Sequence, residues 1–98
     1  MNIQAMMKQA QKLQKDMMNE KEKIDQTEYI GTSSFVTVTM MGDKTIKEIK
    51  IDNESLDKEE IEMLQDMLVV AINQAMKQID DDTNKKLGKY TQGMPGLF

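Results

Sequence analysis

Apolar residues recur at alternating steps of three and four along the first part of the chain, and they are Ile3, Met6, Ala10, Leu13, Met17 and Ile24. Glu20 interrupts this series, and neither glycine nor proline occurs before Gly31. Such spacing places the apolar side chains in one seam along a helix, of the heptad type. The pattern therefore predicts a long first helix over residues 3–25.

The period changes from helical to alternating near residue 27. The small polar residues 31–34 are typical of a turn or mobile loop. β-branched residues then alternate with polar ones, residues 42–44 supply turn chemistry, and the next segment carries Ile49 and Ile51 on one face. The pattern predicts three strands, over residues 27–30, 35–41 and 45–51.

Asp57 and Glu60 have the spacing of a helix capping box, which predicts a second helix over residues 58–87 that ends at Gly88. Between residues 67 and 72 this helix is apolar nearly all round, so more than one side of it must be covered. The residues predicted to form the core and a dimer contact are Leu64, Leu68, Ala71, Ile72, Ala75 and Ile79. An apolar, non-helical tail is predicted over residues 93–98.

The length of 98 residues allows one domain, spanning residues 1–98, of the α+β class with the order α-β-β-β-α. A chain of this size buries only about 60–65% of its unfolded surface. It contains no cysteine or histidine, so neither a disulfide nor a structural zinc site can reinforce the core. Self-association is the remaining remedy, and we expect a homodimer.

Ordinary catalysis lacks its usual side chains, because the sequence contains no histidine, cysteine or arginine and no glycine-rich nucleotide loop. The start of a helix, where the dipole favours anions, explains Asp57, Glu59, Glu60 and Glu62. Residues 80–82, three consecutive aspartates, would point in three directions on a helix. We therefore expect no enzyme activity, no cofactor, no metal and no small-molecule substrate.

The N-terminal residues 1–4 lack both the charged start and the apolar core of a signal peptide. The longest apolar run, residues 67–72, is far shorter than the ~18 residues needed to span a bilayer. These features predict a soluble, intracellular protein with no membrane partner.

The net charge is −4, and all 13 basic residues are lysine. The charges are segregated, because residues 1–15 and 83–98 each carry three lysines and no acid. Lys8, Lys12 and Lys15 form a stripe opposite the apolar seam, which suits either a solvated face or contact with phosphates. The second group has an alternative role, since cations in a last helical turn complement the dipole; it comprises Lys85, Lys86 and Lys89.

Several segments together resemble the YbaB/EbfC family of small bacterial nucleoid-associated proteins, and they follow in the family's order and spacing. These segments are residues 9–14 (QAQKLQ), 36–42 (VTVTMMG), 46–52 (IKEIKID), 64–73 (LQDMLVVAIN) followed by Ala75, and 93–98 (GMPGLF). The resemblance covers nearly the whole chain.

The resemblance implies an intimate homodimer whose helices project like the arms of tweezers. It also implies double-stranded DNA as the partner, bound at the nucleoid in the cytoplasm with limited sequence preference and with an influence on gene expression or nucleoid organisation. The six lysines named above are the candidate DNA contacts. The alternative is a protein-interaction module that uses the Met-rich second helix or the tail ending in Leu97 and Phe98, which the net acidity favours.

Overall fold

The computed structural model describes residues 2–91. The elements are α1 (Ile3–Asp25), β1 (Glu28–Ser33), β2 (Val36–Met41), β3 (Ile46–Ile51) and α2 (Lys58–Thr91). This α-β-β-β-α order confirms the predicted α+β class. The molecule is elongated, measuring 71 × 21 × 14 Å. The predicted tail, residues 93–98, lies outside the described residues.

Side chains cap helix α1 at both of its ends. The Asn2 side chain accepts hydrogen bonds from the backbone N–H groups of Gln4 at 3.1 Å and Ala5 at 3.4 Å. These bonds satisfy donors that a helix start leaves without partners. At the other end, the Thr27 hydroxyl donates to the carbonyl of Lys23 at 2.7 Å.

The three strands form one antiparallel sheet in the order β1-β2-β3. The structure corrects the prediction that residues 31–34 form a loop, because β1 continues to Ser33 and the turn follows with Ser34 at φ 52°. Gly31 pairs with Val38 inside the ladder, and the Thr32 N–H donates to the Gln74 side chain at 2.7 Å. These partners hold a segment of turn-like composition in a strand.

Helix α2 begins with the predicted capping box. The Glu60 N–H donates to the Asp57 carboxylate at 2.8 Å, and the Asp57 N–H donates to the Glu60 carboxylate at 3.4 Å. The predicted end at Gly88 is wrong, because α2 continues to Thr91. Leu87 is 1% exposed in the core, and its burial outweighs the cost of about 1 kcal/mol for glycine within a helix.

Backbone-to-backbone approach sets how α2 lies on the sheet. A Cβ atom built on Gly31 would lie only 1.9 Å from the Ala71 carbonyl oxygen and 2.9 Å from the Ala75 nitrogen. Ala71 and Ala75 are fully buried. The absent side chain at residue 31 and the two small ones on α2 therefore allow the helix to rest directly on β1. Gly42 has the same role under the end of α1, since its Cβ would lie 1.8 Å from the Ile24 carbonyl oxygen.

The two edges of the sheet differ. Side chains of α2 cover the β1 edge, where Gln74 accepts from the Thr32 N–H and Gln78 donates to the Ile30 carbonyl at 2.8 Å. Within residues 2–91, β3 pairs only with β2, and all of its residues are exposed. A shift in register between Thr39 and Met40 alters the spacing on this side of the sheet.

The register places three isoleucines of β3 on the same face as the core residues of β2. The β2 residues Val36, Val38 and Met40 are fully buried. Their partners in β3 are, in the same order, Ile51, Ile49 and Ile46. Helix α2 packs on β1 and β2. The core face of the sheet therefore continues past the helix as an exposed apolar row.

A polar contact also joins the sheet to the second half of α2. The Tyr29 hydroxyl donates to the Asp82 carboxylate at 2.5 Å, and Lys86 forms an ion pair with the same carboxylate at 3.0 Å. Burial and the neighbouring Asp82 raise the pKa of Tyr29 to about 12. The hydrogen bonds from Tyr29 and then Lys86 lower the pKa of Asp82 below its ordinary 3.8.

Substitution of Gly31 by alanine should test the backbone contact. The added Cβ would overlap the Ala71 carbonyl, so Gly31→Ala should lower the free energy of unfolding by more than about 3 kcal/mol in urea titrations. The matched control is Gly88→Ala, where a Cβ meets nothing within 4 Å. The free energy of unfolding of that variant should rise by about 0.5–1 kcal/mol. Equal effects of the two substitutions would contradict the packing described here.

Substitution of Tyr29 by phenylalanine should test the polar contact through its pH dependence. Between about pH 5 and about pH 9, the free energy of unfolding of Tyr29→Phe should be about 1–2 kcal/mol lower than that of the parent chain. The difference should shrink as pH falls through the lowered pKa of Asp82, because protonation removes the charged acceptor. It should also shrink as pH rises from 10 towards 12, where Tyr29 ionises. A difference that does not vary with pH would argue against this contact.

Candidate nucleic-acid interface

The first half of α1 stands away from the rest of the fold. Every residue from 2 to 15 is exposed, and Ile3 reaches 70% exposure. Of the predicted seam, only Met17 and Ile24 pack against the core, on the side where α1 meets α2. The seam is therefore half covered: its second half holds α1 to the fold, and its first half faces solvent.

Lys8, Lys12 and Lys15 lie along one outer edge of this projecting helix. Successive residues of a helix turn by about 100°, so the three lysines lie opposite Met17 and Ile24 and point away from the fold. No acidic residue occurs among residues 1–15, and none of the three forms an ion pair with any residue in the range 2–91. This lysine row is an unneutralised, accessible positive edge.

The lysines at the end of α2 are placed differently. Lys86 is engaged by Asp82, and the Lys89 ammonium lies 5.0 Å from the centre of the Tyr90 ring. Lys85 is exposed, but its charge acts on Asp82 as well. Of the six candidate lysines, the structure thus separates three unpaired ones on α1 from three on α2 that lie beside an acidic or aromatic neighbour.

Residues 80–82 point in three directions, as their spacing predicts. Asp80 pairs with Lys44 at 3.1 Å, Asp81 with Lys77 at 2.9 Å, and Asp82 with Tyr29 and Lys86 as described. Within the described range, no three acidic side chains come together as a metal site. Each of these aspartates balances a lysine, and Asp80 also links the turn before β3 to α2.

The predicted core and dimer residues of α2 divide into two groups. Ala71, Ala75 and Ile79 are buried within the chain, where they meet the sheet and α1. The others are half-buried and pack at the margin of the core; they are Leu64, Leu68 and Ile72. Beyond these, α2 exposes further apolar side chains: Ile61, Met63, Val69 and Val70.

The half-buried residues of α2 lie next to the exposed row of β3. Gln74 and Gln78 face β1, and the helical period places Leu68 and Ile72 on the other side of α2, towards β3. We call the combined surface the α2–β3 trough. It is lined by Ile46, Ile49, Ile51, Leu64, Leu68 and Ile72. Sequence reasoning missed the three β3 residues as a group, because the register shift in β2–β3 brings Ile46 to the face of Ile49.

None of the helices in residues 2–91 is long and apolar enough to cross a membrane.

A known structure shares this fold. A solved structure of an uncharacterised protein from Helicobacter pylori superposes with a TM-score of 0.74 at 22% sequence identity, and the match covers 94% of this chain and 98% of that chain. Its likeness concerns the fold.

Relatives with closer sequences share nearly the whole length. The chain is 45% identical to a nucleoid-associated protein of Enterococcus faecalis, with 98% of this chain and 94% of the relative covered. It is 48% identical to a nucleoid-associated protein of Lactococcus lactis subsp. cremoris, with 97% and 98% covered. The model of the YbaB/EbfC DNA-binding family matches residues 1–94. The chain therefore belongs to the YbaB/EbfC DNA-binding family.

Proposed function

We propose that this protein is a nucleoid-associated protein of the cytoplasm that binds double-stranded DNA as a homodimer. It contacts the phosphate backbone with limited sequence preference, and through this binding it influences nucleoid organisation and gene expression. The observation that carries the proposal is the unpaired lysine row, Lys8, Lys12 and Lys15, on a projecting helix. Family membership and the names of the relatives from Enterococcus and Lactococcus support it.

The YbaB/EbfC family is a DNA-binding family and not an enzyme family. The prediction that this chain is not an enzyme is therefore confirmed.

The chemistry of the lysine row explains why binding would be weakly selective. Each lysine that neutralises a phosphate releases a condensed counterion, and this gain does not depend on the bases. The chain contains no arginine, the residue that most often reads guanine with two hydrogen bonds. Phosphate contacts without such base contacts fix position on the duplex but discriminate little between sequences.

The net charge of −4 opposes binding at long range, and a homodimer would carry twice this charge, −8. Local contacts at the lysine row must overcome this repulsion. We expect the affinity to be modest and to fall steeply with salt, since log K decreases by about 0.9 per neutralised phosphate for each unit of log salt concentration. The lysines at the end of α2 act as secondary contacts, because each already interacts with a neighbouring side chain. Lys85 and Lys86 lie beside Asp82, and Lys89 lies over the Tyr90 ring.

The exposed trough supports the homodimer. Ile49 is 44% exposed in the single chain, and the isoleucines beside it are similarly open to solvent. A contiguous exposed apolar surface of this kind is typical of an interaction site. A two-fold axis would bring the trough of one copy against that of another, with matching apolar surfaces. The dimer would then double the lysine row.

A protein-interaction module is the second candidate. Its specific support is Met63, which is 52% exposed on α2 and is adaptable enough to seat a partner helix. The other proposed contact, Leu97 and Phe98, lies outside the described residues.

The triple substitution Lys8→Gln, Lys12→Gln and Lys15→Gln tests the lysine row. In fluorescence anisotropy with a labelled duplex at low salt, affinity should fall by at least about 100-fold. The slope of log K against log salt should become shallower by about 0.9 for each phosphate that the variant no longer neutralises. The dimer and the thermal unfolding curve should not change, because all three side chains are exposed and unpaired.

The matched control is Lys44→Gln, Lys47→Gln and Lys77→Gln. It changes the net charge equally but removes lysines already paired with Asp80, Glu28 and Asp81. This control should bind nearly as the parent chain does. Equal decreases in the affinity of both variants would show that only net charge matters, and unchanged binding in the first would move the contact elsewhere on the protein.

The single substitution Ile49→Asp tests the dimer. Ile49 is exposed in the isolated chain, so the fold should tolerate aspartate, whereas a buried carboxylate in the dimer contact should shift the sedimentation mass from dimer to monomer. The control is Ile30→Asp, which places aspartate at a similarly exposed isoleucine on the opposite sheet face. A dimer that survives Ile49→Asp, or that dissociates equally in the control, would exclude the trough as the interface.

A further inference from the structure

The exposed half of the α1 seam is an apolar surface separate from the trough. Ile3, Met6, Ala10 and Leu13 continue the series that Met17 and Ile24 complete inside the fold. Ile3 is 70% exposed, Met6 52% and Leu13 53%. The steps of three and four place all four side chains on one line along the helix, which is the spacing of a helix that packs against another helix.

From Ile3 to Leu13 the residues beside this seam carry no charge, and the first charged residue beside it is Asp16. At about 100° per residue, Met7, Gln9 and Gln14 flank the seam on its two sides. In paired helices the flanking positions of the two chains face each other, and like charges there oppose pairing. The uncharged flanks from Ile3 to Leu13 therefore add no like-charge repulsion when two copies of α1 pair along this seam.

The lysine row lies on the far side of the helix from the seam. An acidic partner seated on the seam would be separated from Lys8, Lys12 and Lys15 by about the helix diameter of 10 Å. That distance is about one Debye length at physiological salt, so the lysines would attract such a partner little. The charge pattern thus favours an apolar helix with uncharged flanks, and α1 of a second copy has both properties.

We propose that the exposed seams of two α1 helices from different dimers pack against each other. The seam would be a second self-interface beside the trough, and two such interfaces on one chain can link dimers into longer assemblies. Both lysine rows would remain on the outside of the helix pair, so phosphate contact and pairing are compatible. The seam from Ile3 to Met17 spans only about two heptads, fewer than a stable coiled coil needs.

Because the seam is short, the pairing should form where copies are concentrated, as when neighbouring dimers occupy one duplex. The expected consequence is cooperative DNA binding. This part rests on the proposed function, whereas the helix pairing itself can be measured without DNA at high protein concentration.

The absence of native cysteine makes introduced thiols specific reporters. Leu13→Cys places a thiol in the seam, and Gln11→Cys places one on the outer side of the same helix, where both native side chains are exposed. If the two helices pair antiparallel, a mixture of Met6→Cys and Leu13→Cys chains should form the disulfide. If they pair in parallel, Leu13→Cys alone should form it. Each chain is oxidised with and without a long duplex, and products are sized under native and denaturing conditions.

The proposal expects disulfides from the seam thiols, native species larger than a dimer, and an increased yield on the duplex, with little product from Gln11→Cys. Disulfides confined to dimer-sized species would overturn it, as would equal yields at residue 11. Absence of seam disulfides would also overturn it, and resistance of the Leu13→Cys thiol to alkylation in that case would show that another surface covers the seam.

The variant Leu13→Gln gives an independent readout on the duplex. It should lose the cooperativity of binding while an isolated short duplex is bound as by the parent chain. Cooperativity that persists in Leu13→Gln would overturn the proposal. Failure of the parent chain itself to bind the short duplex would instead be a failure of the proposed DNA-binding function.

Discussion

The structure depends on how little of α2 one chain can cover. The helix is apolar on several sides near residues 67–72, yet within residues 2–91 it is covered mainly by β1, β2 and part of α1. Gly31 lets the backbone of α2 rest on β1 at Ala71 and Ala75, which brings one side of the helix into the core. In the part of the chain that the structure describes, the side towards β3 receives no equivalent cover. Both the trough and the proposed dimer follow from this shortage of covering surface.

Charge is distributed so that the projecting helix keeps its lysines free. The three aspartates of residues 80–82 engage lysines of the body, and Asp82 also holds the Tyr29 hydroxyl. The first half of α1 has no acidic residue to neutralise its row. An acidic protein can thus present a positive edge to DNA, provided that the edge stands apart from the acidic body. In the proposed function, the reach of this edge rather than the total charge of the protein makes phosphate contact feasible.

Local chemistry made much of the fold predictable. The Asp57–Glu60 capping box and the alternation of β2 act between residues close in sequence, and both occur as predicted. The errors at Gly31 and Gly88 share a cause. Local patterns predict a turn at Gly31 and a helix end at Gly88, but tertiary packing holds Gly31 in a strand and Gly88 in a helix. For the candidate site, the unpaired lysine row was visible in the sequence. The Tyr29–Asp82 contact joins residues 53 apart and was not.

In the proposed complex, two copies of this chain act together on DNA through α1. Native mass spectrometry of the protein with a duplex too short for two dimers tests it most directly, at low salt and with the charge-matched lysine variants alongside. We expect complexes of one duplex with two chains, and we expect those complexes to disappear in the Lys8, Lys12 and Lys15 variant only. Complexes of one duplex with a single chain, or none with the parent protein, would contradict the claim.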